Sequence, residues 1–203
     1  LTDFANEDLS AFFFDIRKDS LYCDAPGDPR RRAYRTVLDT LFHALVRYAA
    51  PVLVFTAEEV WGTRYPDAGS VHLLEWPDVP EVHADAATWT GLRALRQQVT
   101  EAIEPLRRDK VVRSSLEAEV ALPASEAPAG FSDAALAELF ISGPVHLAHA
   151  PAIVVRRTDD HKCGRCWRLL PEVPEDGGLC ARCADVVLRQ AQDDREKEMD
   201  QPA

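Results

Sequence analysis

The chain has 203 residues, 46% of them hydrophobic, enough for one ordinary domain or two small ones with real cores. A formal net charge of −11 excludes a generic polyanion-coating protein, and no apolar stretch approaches the ~20 residues that span a bilayer. No charged-then-apolar leader opens the sequence, so a cytoplasmic protein is the expectation.

Leu9, Phe12, Phe13, Ile16 and Leu21 recur at helical steps and predict a first helix with one apolar stripe. The chain starts at Leu1 with no initiator Met, as expected of a fragment of a longer protein. After the loop at residues 24–29, Asp28 followed by Pro29 predicts an N-cap and first turn. The second helix, to about residue 50, carries the stripe Tyr34, Val37, Leu38, Leu41, Leu45 and Tyr48, with Arg30, Arg31, Arg32 and Arg35 at its start. Pro51 interrupts it, and Thr56-Ala57-Glu58-Glu59 reads as a capping box opening a short third helix with Val60 and Trp61. Residues 62–87 read as connector with one extended run at 71–76. A long fourth helix then aligns Leu92, Leu95, Val99, Ile103 and Leu106. Four apolar stripes predict an antiparallel helix bundle, so the fold class is mainly α.

After Lys110 the period changes to alternation, with Leu116, Ala118, Val120 and Leu122 on one face of a strand. A short helix at 131–139 and short strands at 140–141, 145–147 and 153–155 complete a small α+β junction. The expected segments are therefore a bundle at 1–110, a junction at 111–155, a metal-built module at 156–188 and a disordered tail at 189–203, which begins after a short helix holding Val186, Val187 and Leu188.

That module rests on Cys163-Gly164-Arg165-Cys166 and Cys180-Ala181-Arg182-Cys183, separated by thirteen residues. Four thiolates so spaced can close a tetrahedron around one zinc ion, with no open position left for catalytic water, so the site is structural. Two disulfides, or a redox Cys-x-x-Cys, are the alternatives. The first would need a secreted protein and the second only one pair. Cys23 has no such partner and reads as a free thiol.

Charge is segregated along the sequence. Residues 90–116 carry 6 basic against 3 acidic side chains and residues 152–184 carry 6 against 5, while residues 117–151 carry none against 5. Basic islands in an acidic chain suit one specific polyanionic partner; a solvated charged helix face is the plainer reading.

Several segments, in order, resemble the C-terminal third of bacterial isoleucyl-tRNA synthetases. The run from Leu9 through Ile16 to Asp19 looks like a helix of the class I anticodon-binding bundle, and Pro51-Val52-Leu53-Val54-Phe55-Thr56-Ala57-Glu58-Glu59-Val60-Trp61 is similar to a stretch that the related valine and leucine enzymes share. The isoleucine enzyme is singled out by Arg108-Asp109-Lys110-Val111-Val112-Arg113-Ser114-Ser115-Leu116-Glu117-Ala118, where Arg113 replaces a frequent glycine, and by Lys162-Cys163-Gly164-Arg165-Cys166-Trp167-Arg168 with the second cysteine pair. The resemblance implies a parent enzyme, monomeric, that charges isoleucine tRNA using ATP and magnesium in a catalytic domain outside this sequence. The HIGH and KMSKS motifs and the editing insertion are absent, so this segment is expected to hold no catalytic residue and to be inactive alone.

What it is then expected to bind is the anticodon stem-loop of isoleucine tRNA, without any membrane role. An anticodon loop offers phosphates and unstacked bases, so its reader needs cations and planar groups. Trp167 could stack on a base, with Arg165, Arg168, Lys162, Arg156 and Arg157 around it. The plainer reading of Trp167 is packing within the finger, and of the arginines inside the cysteine turns, Arg165 and Arg182, electrostatic support of the thiolates. Arg107, Arg108, Lys110 and Arg113 form a second candidate surface, against the reading of a solvated helix end. Trp61 and Trp76 are expected as core or packing residues rather than as stacking platforms. The rival functions are a DNA-binding zinc finger of a repair glycosylase and a purely structural C-terminal module.

Overall fold

A computed structural model describes residues 1–149 and 151–199. The chain is mainly helical with a small sheet region, and it divides into two compact units, Leu1–Ala25 with Asp85–Ala203, and Pro26–Ala84. Among the described residues no helix is long and apolar enough to cross a membrane.

In the larger unit the first helix is π-wound over Phe4–Phe14 and continues as α1, Asp15–Cys23. The long helix α4, Ala86–Arg108, starts where the Asp85 carboxylate accepts the Ala87 N–H at 3.0 Å, satisfying a donor that has no helical partner. Its stripe of Leu92, Leu95, Val99 and Ile103 is buried as the period requires. The two helices are joined at their rims by Arg93 to Asp8 (2.7 Å), Arg96 to Asp15 (2.9 Å) and the edge-to-face pair of Phe12 and Trp89. The strand β1, Ala118–Pro123, lies between β2, Val145–Ala148, parallel to it, and β3, Val154–Arg157, antiparallel. A parallel neighbour needs a crossover, and α5, Asp133–Phe140, supplies it. Gly143 passes so close to β1 that a Cβ would stand 2.9 Å from the carbonyl oxygens of Leu116 and Ala118, so no side chain fits there.

The alternation of Ala118, Val120 and Leu122 points these side chains into one core with Ile16 of α1, Val99 and Ile103 of α4, Val112, and Leu136 and Phe140 of α5. The parts of 1–110 outside residues 26–84 thus share one core with residues 111–155, and residues 26–84 form a unit with a core of its own. Change of period marks where one kind of element ends; it does not say which elements pack together.

In the smaller unit, α2 is Pro29–Ala49 and α3 is Val54–Arg64, followed by a 3₁₀ turn at Val71–Leu73. Asp28 caps α2 as expected, its carboxylate accepting the N–H groups of Arg30 and Arg31 at 2.8 and 3.2 Å. Three expectations fail in this unit. The core is Val46, Ala50, Ala57, Trp61 and Val71, with Phe42 packed against it, so α2 uses a face rotated from the predicted stripe; Val37 and Tyr48 are exposed. Thr56 caps nothing, because α3 already begins at Val54 with Leu53 at its N-cap. Residues 71–76 begin with a helical turn, where Glu58 accepts both the Ser70 hydroxyl and the Val71 N–H. Trp61 is buried and donates Nε1–H to the Gly69 carbonyl at 3.1 Å, whereas Trp76 is exposed and lies against Tyr48.

Two further differences lie in the larger unit. Residues 140–141, expected as strand, end α5, with Ile141 in the left-handed region at φ 54°. The tail expected to be disordered from 189 continues the last helix, α6, Ala181–Met199, in a stretch rich in good helix formers and stitched by the ion pair of Arg189 with Asp185, four residues apart. Residues 200–203 lie outside the described residues.

Candidate metal centre and nucleic-acid interface

The four cysteines converge on one point, their Sγ atoms all lying within 4.8 Å of one another and those of Cys166 and Cys180 at 3.9 Å. A disulfide requires sulfurs at about 2 Å, and all five cysteines are free thiols. Zinc–thiolate bonds of about 2.3 Å arranged as a tetrahedron set sulfurs about 3.8 Å apart, so the donor set fits such an ion. Cys163, Cys180 and Cys183 are buried and Cys166 half-buried.

The backbone around them explains how so short a segment holds this shape. The two-residue strands β4, His161–Lys162, and β5, Leu169–Leu170, pair antiparallel and flank the first cysteine turn. Inside it the Cys163 N–H donates to the Arg168 carbonyl at 2.9 Å and the Trp167 N–H donates back to the Cys163 carbonyl at 3.0 Å. The intervening loop is tied down by Gly164 N–H to Gly178 O and Gly177 N–H to Lys162 O, both 2.9 Å. A Cβ on Gly164 would meet the Gly177 carbonyl oxygen at 2.5 Å, so only glycine permits this approach. The second pair opens α6, placing Cys180 and Cys183 at a helix N-terminus, where the dipole favours thiolate. Burial disfavours a Cys163 thiolate, yet the N–H groups of Cys166, Cys180 and Arg165 aimed at its sulfur outweigh that and bring the thiol down to about 6. Burial pushes the Cys166 and Cys180 thiols up, a cost that a cation bound at the sulfurs would offset.

Both arginines within the cysteine turns face inward, to the end of α1. Arg165 donates from Nη1 to the Cys23 carbonyl at 2.6 Å and from Nη2 to the Tyr22 carbonyl at 3.4 Å, capping carbonyls that no helical N–H can reach, and its Nη1 is 3.7 Å from the Cys183 sulfur. Arg182 forms a two-pronged pair with Asp19 at 2.6 and 2.8 Å, donates to Asp24 at 2.9 Å and hydrogen-bonds the Cys166 sulfur. Asp24 is buried and also accepts from the Ser20 hydroxyl. The metal module is therefore docked on α1 by two guanidiniums that also offset negative charge on the sulfurs. Sequence reading missed Asp19, Ser20 and Asp24 as partners of the metal turns. The available signal was an arginine at the third position of both cysteine motifs, and the partners lie 142 to 163 residues away in the chain.

Trp167 is 62% exposed, which removes the reading of it as packing within the finger. Its φ of 65° is a conformation that a bulky residue rarely adopts. The Lys162 ammonium sits 5.3 Å from its ring centroid. Arg168 is half-buried beside it, while Arg156 pairs with Glu119 at 2.6 Å and Arg157 is exposed at the end of β3. Of the predicted cluster, Arg165 is thus committed to α1 and Arg156 to a carboxylate, leaving Trp167, Lys162, Arg168 and Arg157. The second group is brought together: Arg107, Arg108, Lys110 and Arg113 line a cleft of about 520 Å³ at the end of α4 with Glu104 and Val112. Arg107 pairs with Glu104 at 2.8 Å. Lys110 is turned by a left-handed φ of 59°, whereas Arg113 has no left-handed φ that would call for glycine.

Residues 1–122 match the anticodon-binding domain of tRNA ligase, and the chain belongs to that family. It is 61% identical over 198 residues to the isoleucine–tRNA ligase of Zymomonas mobilis, matching 92% of this chain and 21% of that protein. It is also 48% identical over 204 residues to the isoleucine–tRNA ligase of Gluconobacter oxydans, with the same shares, and 44% identical over 195 residues to that of Agrobacterium fabrum, with 87% and 20%. The chain therefore spans about a fifth of the length of the curated relatives it matches, rather than a third. The family match runs through β1, beyond the change of period at Lys110.

Proposed function

We propose that this chain is the tRNA-recognition portion of an isoleucine–tRNA ligase and binds the anticodon stem-loop of isoleucine tRNA in the cytoplasm. The observation that carries this reading is an exposed indole held in a left-handed backbone conformation by the cysteine turn, with a lysine ammonium against its ring. Strained residues persist where surrounding structure over-determines them, and they cluster at functional sites. A surface aromatic beside cations is a platform for an unstacked base, since base–aromatic stacking contributes about 1–3 kcal/mol. The Arg107, Arg108, Lys110 and Arg113 cleft, an exposed basic concavity, suits a phosphate backbone.

Zinc is the ion this donor set suits best, four thiolates with no open position. Its role is structural: it fixes the turn that presents Trp167, Lys162 and Arg168. ATP and magnesium belong to a catalytic portion outside this chain. Contacts at the anticodon orient the distant acceptor end, so binding energy from a remote part of the substrate serves the reacting part. This chain by itself forms no aminoacyl-adenylate.

Filter binding of the chain to an isoleucine anticodon stem-loop, against one with a scrambled loop, tests this. Tighter binding of the cognate loop is expected, together with a fall in affinity as salt rises. Equal affinities would remove anticodon recognition and leave a structural module.

A further inference from the structure

The helix pair of the unit Pro26–Ala84 leaves two guanidiniums unused. Of the four arginines that open α2, Arg30 and Arg31 are engaged within the chain, whereas Arg32 and Arg35 are exposed and their guanidiniums have no hydrogen-bond or ion-pair partner among the described residues. Arg35 lines a cavity of about 400 Å³ between α2 and α3 with Thr36, Leu38, Asp39 and Arg64. Arg64, in the last turn of α3, is fixed there: it donates from Nη2 to Asp39 at 2.5 Å and from Nε to the Tyr65 hydroxyl at 3.0 Å, and its guanidinium lies 4.8 Å from the centre of the Phe42 ring. Asp39 is thus committed to Arg64, and three guanidiniums stand against one carboxylate. The same unit carries Asp67, Glu75, Asp78 and Glu81 within residues 67–81, a stretch without lysine or arginine, so its cations and carboxylates are segregated along the chain.

The chemistry of this face selects its occupant. A guanidinium presents a planar fork that matches two oxygens of a phosphate, and unpaired cations beside a concavity attract an anion. No aromatic side chain lines the cavity, and Phe42, His43 and Tyr65 are packed around Trp61, so the face holds no platform for an unstacked base. Arg32 stands one turn from Arg35, about 4.5 Å along the helix axis and outside the cavity lining, so the cations form a row longer than a single phosphate group. Rows of phosphates without accessible base edges are what an A-form RNA stem offers, since its major groove is too deep and narrow for side chains to read and it is recognised by shape and backbone. We propose that Arg32, Arg35 and Arg64 form a binding face for the phosphate backbone of a double-helical RNA stem, one that adds affinity without reading bases. This rests on the reading of the chain as an RNA-recognition portion, and it gives the stem a contact in the Pro26–Ala84 unit, whereas Trp167 and the α4 cleft belong to the other.

Binding of the 203-residue chain to two hairpins that share one RNA stem, one closed by the isoleucine anticodon loop and the other by a short unrelated loop, tests the proposal. The double variant Arg32→Gln, Arg35→Gln should weaken both hairpins equally, by about tenfold at low salt, and reduce the salt slope of each by about one for every cation removed. Its unfolding midpoint should stay that of the parent, because neither guanidinium has a partner among the described residues. Arg35→Lys, with the charge kept and the fork lost, should retain the full salt slope. Unchanged affinity of the double variant for the hairpin with the unrelated loop overturns the proposal. A loss confined to the anticodon hairpin makes the face a base reader and overturns it as well. An equal loss for one unpaired strand of the same stem makes it a site for any polyanion, and weakened binding of a poly-glutamate peptide with both hairpins unaffected assigns it to an acidic protein, each with the same result. Trp167→Ala in this assay should weaken the anticodon hairpin alone, so anticodon recognition and the stem contact can fail separately.

Discussion

Replacing Trp167 by glycine and, separately, by alanine divides the cost of its backbone conformation from the use of its ring. Both substitutions remove the indole, whose buried part is a little over a third of its surface. At about 25 cal/mol per Å² over about 90 Å², that burial stabilises the fold by about 2 kcal/mol. The φ of 65° costs any residue with a Cβ about 1–2 kcal/mol relative to glycine. Trp167→Gly should therefore lie within about 1 kcal/mol of the parent, the lost burial being largely offset by relief of strain. Trp167→Ala loses the burial and keeps the strain, and should be less stable by about 2 kcal/mol. Denaturant unfolding with zinc bound, followed by helix signal, measures both. Affinity for the anticodon stem-loop should fall by about 1–3 kcal/mol, equally in the two variants, if the ring stacks on a base. Equal stability of the alanine and glycine variants would refute the strain; unchanged affinity in both would return the indole to the role of surface ornament.

Other perturbations test how the metal module is held. Elemental analysis should give one zinc per chain, and chelation should speed amide exchange over residues 161–188 and in the last turn of α1, while the core of Leu92, Val99, Val120 and Leu136 stays protected. Protection of the α1 end after chelation would separate the two. Arg182→Met takes the guanidinium from Asp24, which is 2% exposed, and should destabilise the protein by about 3 kcal/mol, with Asp24→Asn in the same chain recovering part of the loss. A loss below about 0.5 kcal/mol, typical of exposed pairs, would mean the pair is solvated. Gly164→Ala forces a Cβ onto the Gly177 carbonyl and should lower zinc affinity by tenfold or more in a chelator competition; unaltered affinity would show that the loop can move aside.

Local signals were the legible part of this sequence. The Asp28-Pro29 helix start, the α4 stripe, the alternation through β1 and the four-cysteine spacing each reside in a window of one element, and each has its predicted counterpart in the structure. Pairing between distant segments was not legible. The stripe assigned to α2 rests on periodicity, but which face is buried depends on where α3 and the Val71 turn pack, so Phe42, Val46 and Ala50 displaced Val37 and Tyr48. Thr56 had the composition of a cap, yet a cap works only at the residue where the helix begins, and α3 begins at Val54. The core shared by Ile16 with Leu136 spans 120 positions, and no composition shift records it.

The orientation of the arginines has a consequence for recognition. The cysteine turns carry two cations, and a surface reader of RNA would gain hold of more phosphates by pointing both outward. Both instead cap or pair with the end of α1 and lie near the sulfurs, at 3.7 Å for Arg165 and Cys183. Four thiolates on a divalent ion carry net negative charge, which would repel a phosphate backbone unless neutralised nearby. Arg165 and Arg182 supply that neutralisation from within, on the α1 side. That leaves Trp167 and Lys162 exposed, with Arg168 half-buried next to Trp167 in the chain, one planar group and two cations, a combination suited to a base more than to a run of phosphates. Charge reversal at Lys162 should therefore reduce discrimination between anticodon loops, while reversal at Lys110 and Arg113 in the α4 cleft should weaken all loops alike and lower the salt dependence by about one ion for each phosphate no longer neutralised. Binding measured across a salt series with cognate and scrambled loops separates the two, and identical effects from both sites would refute the division.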